Sequence, residues 1–171
     1  MTTWLISDTH FGHANVLNFT IEDGSKLRPG FENIYEHDEY LIGQWNKVVG
    51  VDDKVYHLGD VGFKNFTAMS EILSRLNGTK VLIKGNHDNF KMSQYAQHFK
   101  DVRATHQLDG LILSHIPIHP YSLDRWKGNI HGHLHHHTIP DIRYFNVSVE
   151  QINYTPIAFD EVRRHYLTNG E

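Results

Sequence analysis

Histidine, aspartate and asparagine gather in five short clusters along this chain: Asp8 with His10, Asp60, Asn86 with His87 and Asp88, His115, and finally His133 with His135. Their side chains offer imidazole, carboxylate and amide groups, the donors that hold borderline and hard divalent cations. Each cluster follows a short apolar run that reads as a buried strand. Ligands and reacting groups of sheet-based folds collect at the carboxyl ends of strands, so this placement points to a metal centre. The 15 histidines of the 171-residue chain add weight, and the run His135, His136, His137 is internal rather than terminal. No cysteine is present, which excludes disulfide frameworks, zinc-thiolate sites and cysteine nucleophiles together.

Taken singly, each cluster is ambiguous. Asp8 and His10 stand two apart, so a regular strand puts both on one face and a slight turn aims both at one ion. Asp60 alone reads as a turn or N-cap aspartate, yet Gly59 before it permits close backbone approach and its carboxylate can offer one oxygen to each of two ions. Gly85, Asn86, His87, Asp88 alone reads as a turn. Within it, the Asn86 amide oxygen suits a hard cation, and His87 can donate a proton or contact a phosphate with Asp88 orienting it. His115 alone reads as a half-buried structural histidine, while His133 and His135 share one face of an extended segment. Five recurrences at strand ends favour one joint site.

Other residues carry competing readings. His13 and Asn15 are either substrate phosphate contacts or a helix-start turn. His57 belongs to the core or lies behind the ligands. His119 and Arg125 sit in a proline-bearing loop that could reach the site, and a guanidinium at Arg125 suits a phosphate oxygen. Trp45 and Trp126 read as packing residues, with Trp126 the better nucleobase contact of the two. His136 and His137 are expected to face solvent.

The elements that position these groups follow from periodicity. Strands are expected at Thr3 to Ser7, Lys54 to Leu58, Lys80 to Ile83, Leu111 to Ser114, around Ile130 and at Tyr144 to Val149. Amphipathic helices are expected at Asp38 to Val49 and Phe66 to Leu76, the second stopped by Asn77 and Gly78, with a closing helix near Asp160 to Tyr166. The first half is a strand-helix-strand arrangement and the second half is sheet-rich, while Ile21 to Asn33 is the candidate for a long mobile loop. The length suits one domain spanning 1–171. A formal net charge of −4 without a basic stripe argues against a polynucleotide partner, and the absence of a leader or membrane span leads to an expected cytoplasmic location.

Together, the sequences DTH at Asp8 to His10, GD at Gly59 and Asp60, GNHD at Gly85 to Asp88, SH at Ser114 and His115, and GHLH at Gly132 to His135 resemble the calcineurin-like metallophosphoesterase superfamily. The stretches Phe11 to Asn15, Val55 to Asp60 and Phe145 to Glu150 are similar to its small stand-alone bacterial and phage members. The resemblance implies an α/β fold, a four-layer αββα sandwich of two mixed β-sheets flanked by helices. It also implies two divalent ions, one held by Asp8, His10, Asp60 and His135, the other by Asp60, Asn86, His115 and His133. Manganese is the expected metal, with iron, zinc or nickel as alternatives. Hydrolysis of a small phosphodiester or nucleotide-type substrate follows, with His87 and Asp88 as catalytic residues and His13, Asn15 and Arg125 as substrate contacts. The competing functions are a nuclease using the same centre and a non-catalytic interaction scaffold, though the scaffold reading sits poorly with an intact ligand set.

Overall fold

A computed structural model of the chain describes residues 1–168, so the last three residues of the expected domain lie outside the described residues. Two mixed sheets form its centre. In the first, β1 (Thr3–Ile6), β2 (Lys54–His57), β3 (Thr79–Ile83) and β4 (Asp101–Arg103) run parallel, and β9 (Ile157–Ala158) joins β1 antiparallel. In the second, β6 (Leu111–Ser114), β7 (Gly128–His131) and β8 (Tyr144–Asn146) run parallel, with β5 (Thr105–Leu108) antiparallel at the edge.

The period-two alternation of the strands sorts their side chains between two cores. Ile6, Val55 and Leu82 face α1 (Ile34–Val48) and α2 (Phe66–Ser74), meeting Leu41, Ile42 and Trp45 of the one and Met69, Ile72 and Leu73 of the other. Their neighbours Leu5, Tyr56, Val81 and Ile83 face the second sheet, where Leu111, Leu113 and Ile130 wait, and Phe159 and Val162 of α4 (Phe159–Thr168) join that core. On the outer face of the second sheet, Ile112 and Tyr144 are covered by Leu123 together with Ile118, Trp126 and Ile139. That layer is a loop around the short 3-10 turn Pro120–Ser122. The architecture is thus the expected α/β sandwich of two mixed sheets flanked by helices, with its outermost layer thin on one side. Trp45 is buried and Trp126 packs against this outer cluster, so both serve packing.

Parallel in-register pairing brings the strand ends to one edge. Ile6 pairs with His57, His57 with Leu82, and Ser7 bridges Ser148, which carries the line of the first sheet across to the second. Everything that follows β1, β2, β3, β6 and β7 therefore emerges together.

Several boundaries differ from expectation for identifiable reasons. Helix α1 begins a turn early because the Asn33 side chain accepts the Glu36 N–H at 3.0 Å, satisfying a donor that the helix start would leave bare. Strand β8 ends at Asn146 rather than Val149, its Oδ1 accepting the N–H of Ser148. The strands β4, β5 and β9 and the single-turn helix α3 (Met92–Tyr95) are two to four residues long and mixed in polarity, too short to show a period. No helix among the described residues is long and apolar enough to cross a membrane.

Candidate metal centre

At the shared edge the backbone leaves strand geometry abruptly. Among the described residues, eight non-glycine residues adopt positive φ, and five of them are Asp8 (58°), His10 (50°), Asp60 (55°), His133 (69°) and His135 (51°). The slight turn expected after β1 is therefore a sharp left-handed one. His133 and His135 likewise do not share a face of an extended segment: left-handed bends splay them to different donor groups. Gly59, at φ 93°, and Gly85 let the turns after β2 and β3 touch, since a Cβ on Gly59 would lie 2.6 Å from Gly85 N and one on Gly85 only 2.2 Å from Asp60 Oδ1.

Two donor groups result. Asp8, His10 and His135 offer ligand atoms that lie within 4.8 Å of one another, and so do Asp60, His115 and His133. Asp60 belongs to both neighbourhoods through one atom: its Oδ2 is 3.8 Å from His10 Nε2 and 3.4 Å from His115 Nε2. Its other oxygen, Oδ1, accepts the His87 main-chain N–H at 2.9 Å. Asn86 Oδ1 stands 2.9 Å from His115 Nε2, and His133 Nδ1 3.3 Å from it.

The protonation pattern shows what these atoms are free to do. His115 Nδ1 meets the Leu58 carbonyl at 2.7 Å and must donate to it, which leaves Nε2 as a lone pair in the neutral ring. That lone pair faces the amide oxygen of Asn86, so the two repel unless a cation or proton lies between them. His135 Nδ1 donates to Glu150 Oε1 at 3.0 Å, likewise presenting Nε2 towards Asp8 Oδ1 at 3.9 Å. Asp8 Oδ2 accepts from His133 N and the Ser148 hydroxyl, while its Oδ1 and both ring nitrogens of His10 are buried with no hydrogen-bond partner. Burial alone would raise the Asp8 carboxyl, but the imidazoles of His10, His115 and His135 outweigh it and hold it well below the usual carboxylate range. Burial would lower His115 and His135, yet carboxylates win in both: Asp60 and Asp8 raise the one, Glu150 and Asp8 the other. A buried carboxylate oxygen and a buried imidazole without partners are what a divalent cation would satisfy.

Behind these donors lies a network that sequence reading did not reveal. Arg28 is 1 % exposed, and its guanidinium donates to the carbonyls of Asp8 (2.6 Å) and Thr9 (3.0 Å), to His37 Nε2 (3.0 Å) and to Glu150 Oε1 (2.7 Å). The Ile21 to Asn33 segment, expected as a mobile loop, is thereby pinned to the site. Glu150 thus grips Arg28 and His135 with the same oxygen, fixing the imidazole as carboxylates commonly do behind metal-bound histidines. Glu150 carried a faint signal, an acid after the apolar alternation of Val147 and Val149, whereas an arginine in a loop has nothing to mark it as buried.

The remaining candidates separate. His87 is exposed at the rim, its ring centroid 5.0 Å from Phe63 and 6.1 Å from His10. Asp88 does not orient it: its buried carboxylate accepts the N–H groups of Asp60, Val61 and Gly85, clamping the two turns together. His13 stacks on Phe63 at 4.1 Å beside His10, and burial lowers its pKa to about 4. Asn15 is exposed within the 3-10 helix Ala14–Asn18. Arg125 is exposed at the wrong end. Parallel strands β6 and β7 require a crossover that returns to their start, and Lys127, two residues on, bonds Gly110 there, so Arg125 lies away from the edge that holds His115. His119 is exposed, and its Nδ1 accepts the Tyr121 N–H. His57 is a buried neutral ring between Thr9 and Gly59. His136 and His137, expected in solvent, are partly buried and exposed respectively, and both meet Glu22.

No family model matches the chain. A crystal structure of a protein of unknown function, AQ665 from Aquifex aeolicus, superposes with a TM-score of 0.74 at 27% identity, covering 95% of this chain and 98% of that one. The gene 66 protein of Mycobacterium phage L5 is 35% identical over 89 residues, half of this chain and 39% of its own length. The uncharacterized protein MJ1445 of Methanocaldococcus jannaschii is 37% identical over 166 residues, 92% of this chain and 86% of its own. The chain belongs to the same family as MJ1445.

Proposed function

We propose that the chain is a phosphoesterase dependent on two divalent ions, manganese first among them, acting on a small phosphodiester or nucleotide-type substrate. The carrying observation is the pair of donor groups that share Asp60 Oδ2, with Asp8 Oδ1 and His10 buried and otherwise unpartnered. Asp8, His10, Asp60 and His135 would hold one ion and Asp60, Asn86, His115 and His133 the other. Such a pair supplies charge that polarises a phosphoryl oxygen and lowers the pKa of a shared water.

The chain's own residues account for the remaining chemistry. His87 is the exposed imidazole at the rim, its backbone fixed by Asp60 and its ring beside Phe63, which suits it to give a proton to the departing alcohol oxygen. His13, lowered by burial, is a neutral imidazole near neutral pH that can hydrogen-bond a phosphate oxygen. The test is hydrolysis of an aryl phosphodiester and an aryl phosphomonoester by protein loaded with Mn²⁺. Turnover of at least one is expected, and His87→Ala should keep its ions while losing about 10²–10⁴-fold in rate. Inertness towards both esters at full metal loading would refute the reading.

A further inference from the structure

The turn that bears His133 and His135 also presents donors on a second side. Leu134 to His137 form a tight turn closed by the His137 N–H on the Leu134 carbonyl at 2.9 Å. Adjacent side chains of an extended chain point apart, whereas here the rings of His136 and His137 lie with centroids 3.9 Å apart. Both Nε2 atoms turn to Glu22, which arrives on the loop pinned by Arg28. His136 Nε2 is 3.1 Å from Oε2 and 3.3 Å from Oε1, and His137 Nε2 is 3.4 Å from Oε1. The ligand atoms of all three residues lie within 4.8 Å of one another, and His136 Nδ1 is buried without a partner.

These separations carry chemical information. Two of the three are long for hydrogen bonds to a carboxylate, which shorten when charge assists them. A tetrahedral zinc with bonds of about 2.0–2.1 Å has ligand-to-ligand edges of about 3.3–3.4 Å, close to what is found here. Two imidazoles and one carboxylate, with a fourth position open to solvent, form a recognised zinc donor set. Neither His136 nor His137 has a part in the two donor groups around Asp60. We propose that Glu22, His136 and His137 form a separate site for a single zinc ion, which fastens the Ile21 to Asn33 loop to the ligand-bearing turn.

The experiment compares metal-stripped wild-type chain with Glu22→Gln and with the double variant His136→Asn, His137→Asn. Equilibrium dialysis against Zn²⁺ followed by elemental analysis counts ions per chain. Each variant should bind one zinc fewer than wild type, a difference that reads this site whatever number the other donors hold. Hydrogen exchange gives the second readout: Zn²⁺ should slow the amides of the loop in wild type and leave them unchanged in the variants. Equal zinc counts in all three proteins would overturn the proposal. So would a loss of two ions, since the residues would then serve the larger centre rather than a site of their own.

Discussion

Replacing Arg28 by methionine is the sharpest test of how the centre is held. The substitution keeps an apolar stem but removes four hydrogen bonds, to Asp8 O, Thr9 O, His37 Nε2 and Glu150 Oε1. Glu150, whose side chain is 5 % exposed, is left charged and buried with only His135 to oppose it. Breaking a buried ion pair from one side costs about 3–5 kcal/mol. Two carbonyls lose a donor as well, at roughly 1 kcal/mol each, while the bond from Glu150 to His135 returns part of that. A loss of about 3–5 kcal/mol is expected. Urea unfolding of metal-free protein, followed by the fluorescence of buried Trp45, measures it. Glu150→Gln added to Arg28→Met removes the stranded charge, so the double variant should regain about 2 kcal/mol over the single. Mn²⁺ affinity should fall about 10–100-fold in Arg28→Met, because Glu150 no longer holds His135 against a fixed partner. If Arg28→Met lost less than 1 kcal/mol, or the second substitution destabilised further, the buried network would not be the support described.

Three further outcomes follow from single positions. Gly85→Ala places a Cβ 2.2 Å from Asp60 Oδ1 and 2.5 Å from Asp60 N, so it should lower stability by about 1–3 kcal/mol and displace the shared carboxylate; melting curves and ion counts unchanged from wild type would contradict this. Asn33→Ala removes the α1 cap and should lower stability by about 1 kcal/mol in denaturant titration with metal content intact, and a neutral result would mean that the cap contributes nothing. Burial lowers the pKa of His57 from 6.5 to about 3, so below pH 6.5 the unfolded chain binds a proton that the folded chain refuses. Stability should therefore fall by about 2 kcal/mol between pH 6.5 and pH 5 and continue falling until the folded ring titrates near 3, a slope that His57→Gln should flatten; parallel profiles would exonerate His57.

The strands of the two cores were legible because their alternation is set by burial on both sides, as in Val55, Tyr56 and Val81, Leu82. The donors were legible because each follows such a run, and in-register parallel pairing carries strand ends to one edge. What the sequence withheld is conformational. Spacing by two predicted that His133 and His135 point the same way, and only the left-handed backbone sends them apart. Asp88 reads as a partner of the histidine beside it, yet main-chain donors from distant turns claim its carboxylate, and nothing local records such long-range contacts. Arg125 follows His115 closely in sequence but rides a crossover to the far edge, since parallel strands cannot be joined otherwise. The pairing of Glu22 with His136 spans 114 positions and leaves no periodic trace.

The left-handed residues of the centre set a trade-off for the chain as it evolves. Each of Asp8, His10, Asp60, His133 and His135 forgoes about 1–2 kcal/mol relative to an ordinary backbone conformation, a total comparable with the whole folding margin of about 5–15 kcal/mol. Glycine adopts the same angles without that strain. A lineage released from the need for ions could therefore exchange ligand for glycine at His10, His133 and His135 and relieve that strain, whereas Asp8 and Asp60 also accept hydrogen bonds that hold the turns. Keeping histidine and aspartate at these angles sets the chain against its own stability optimum.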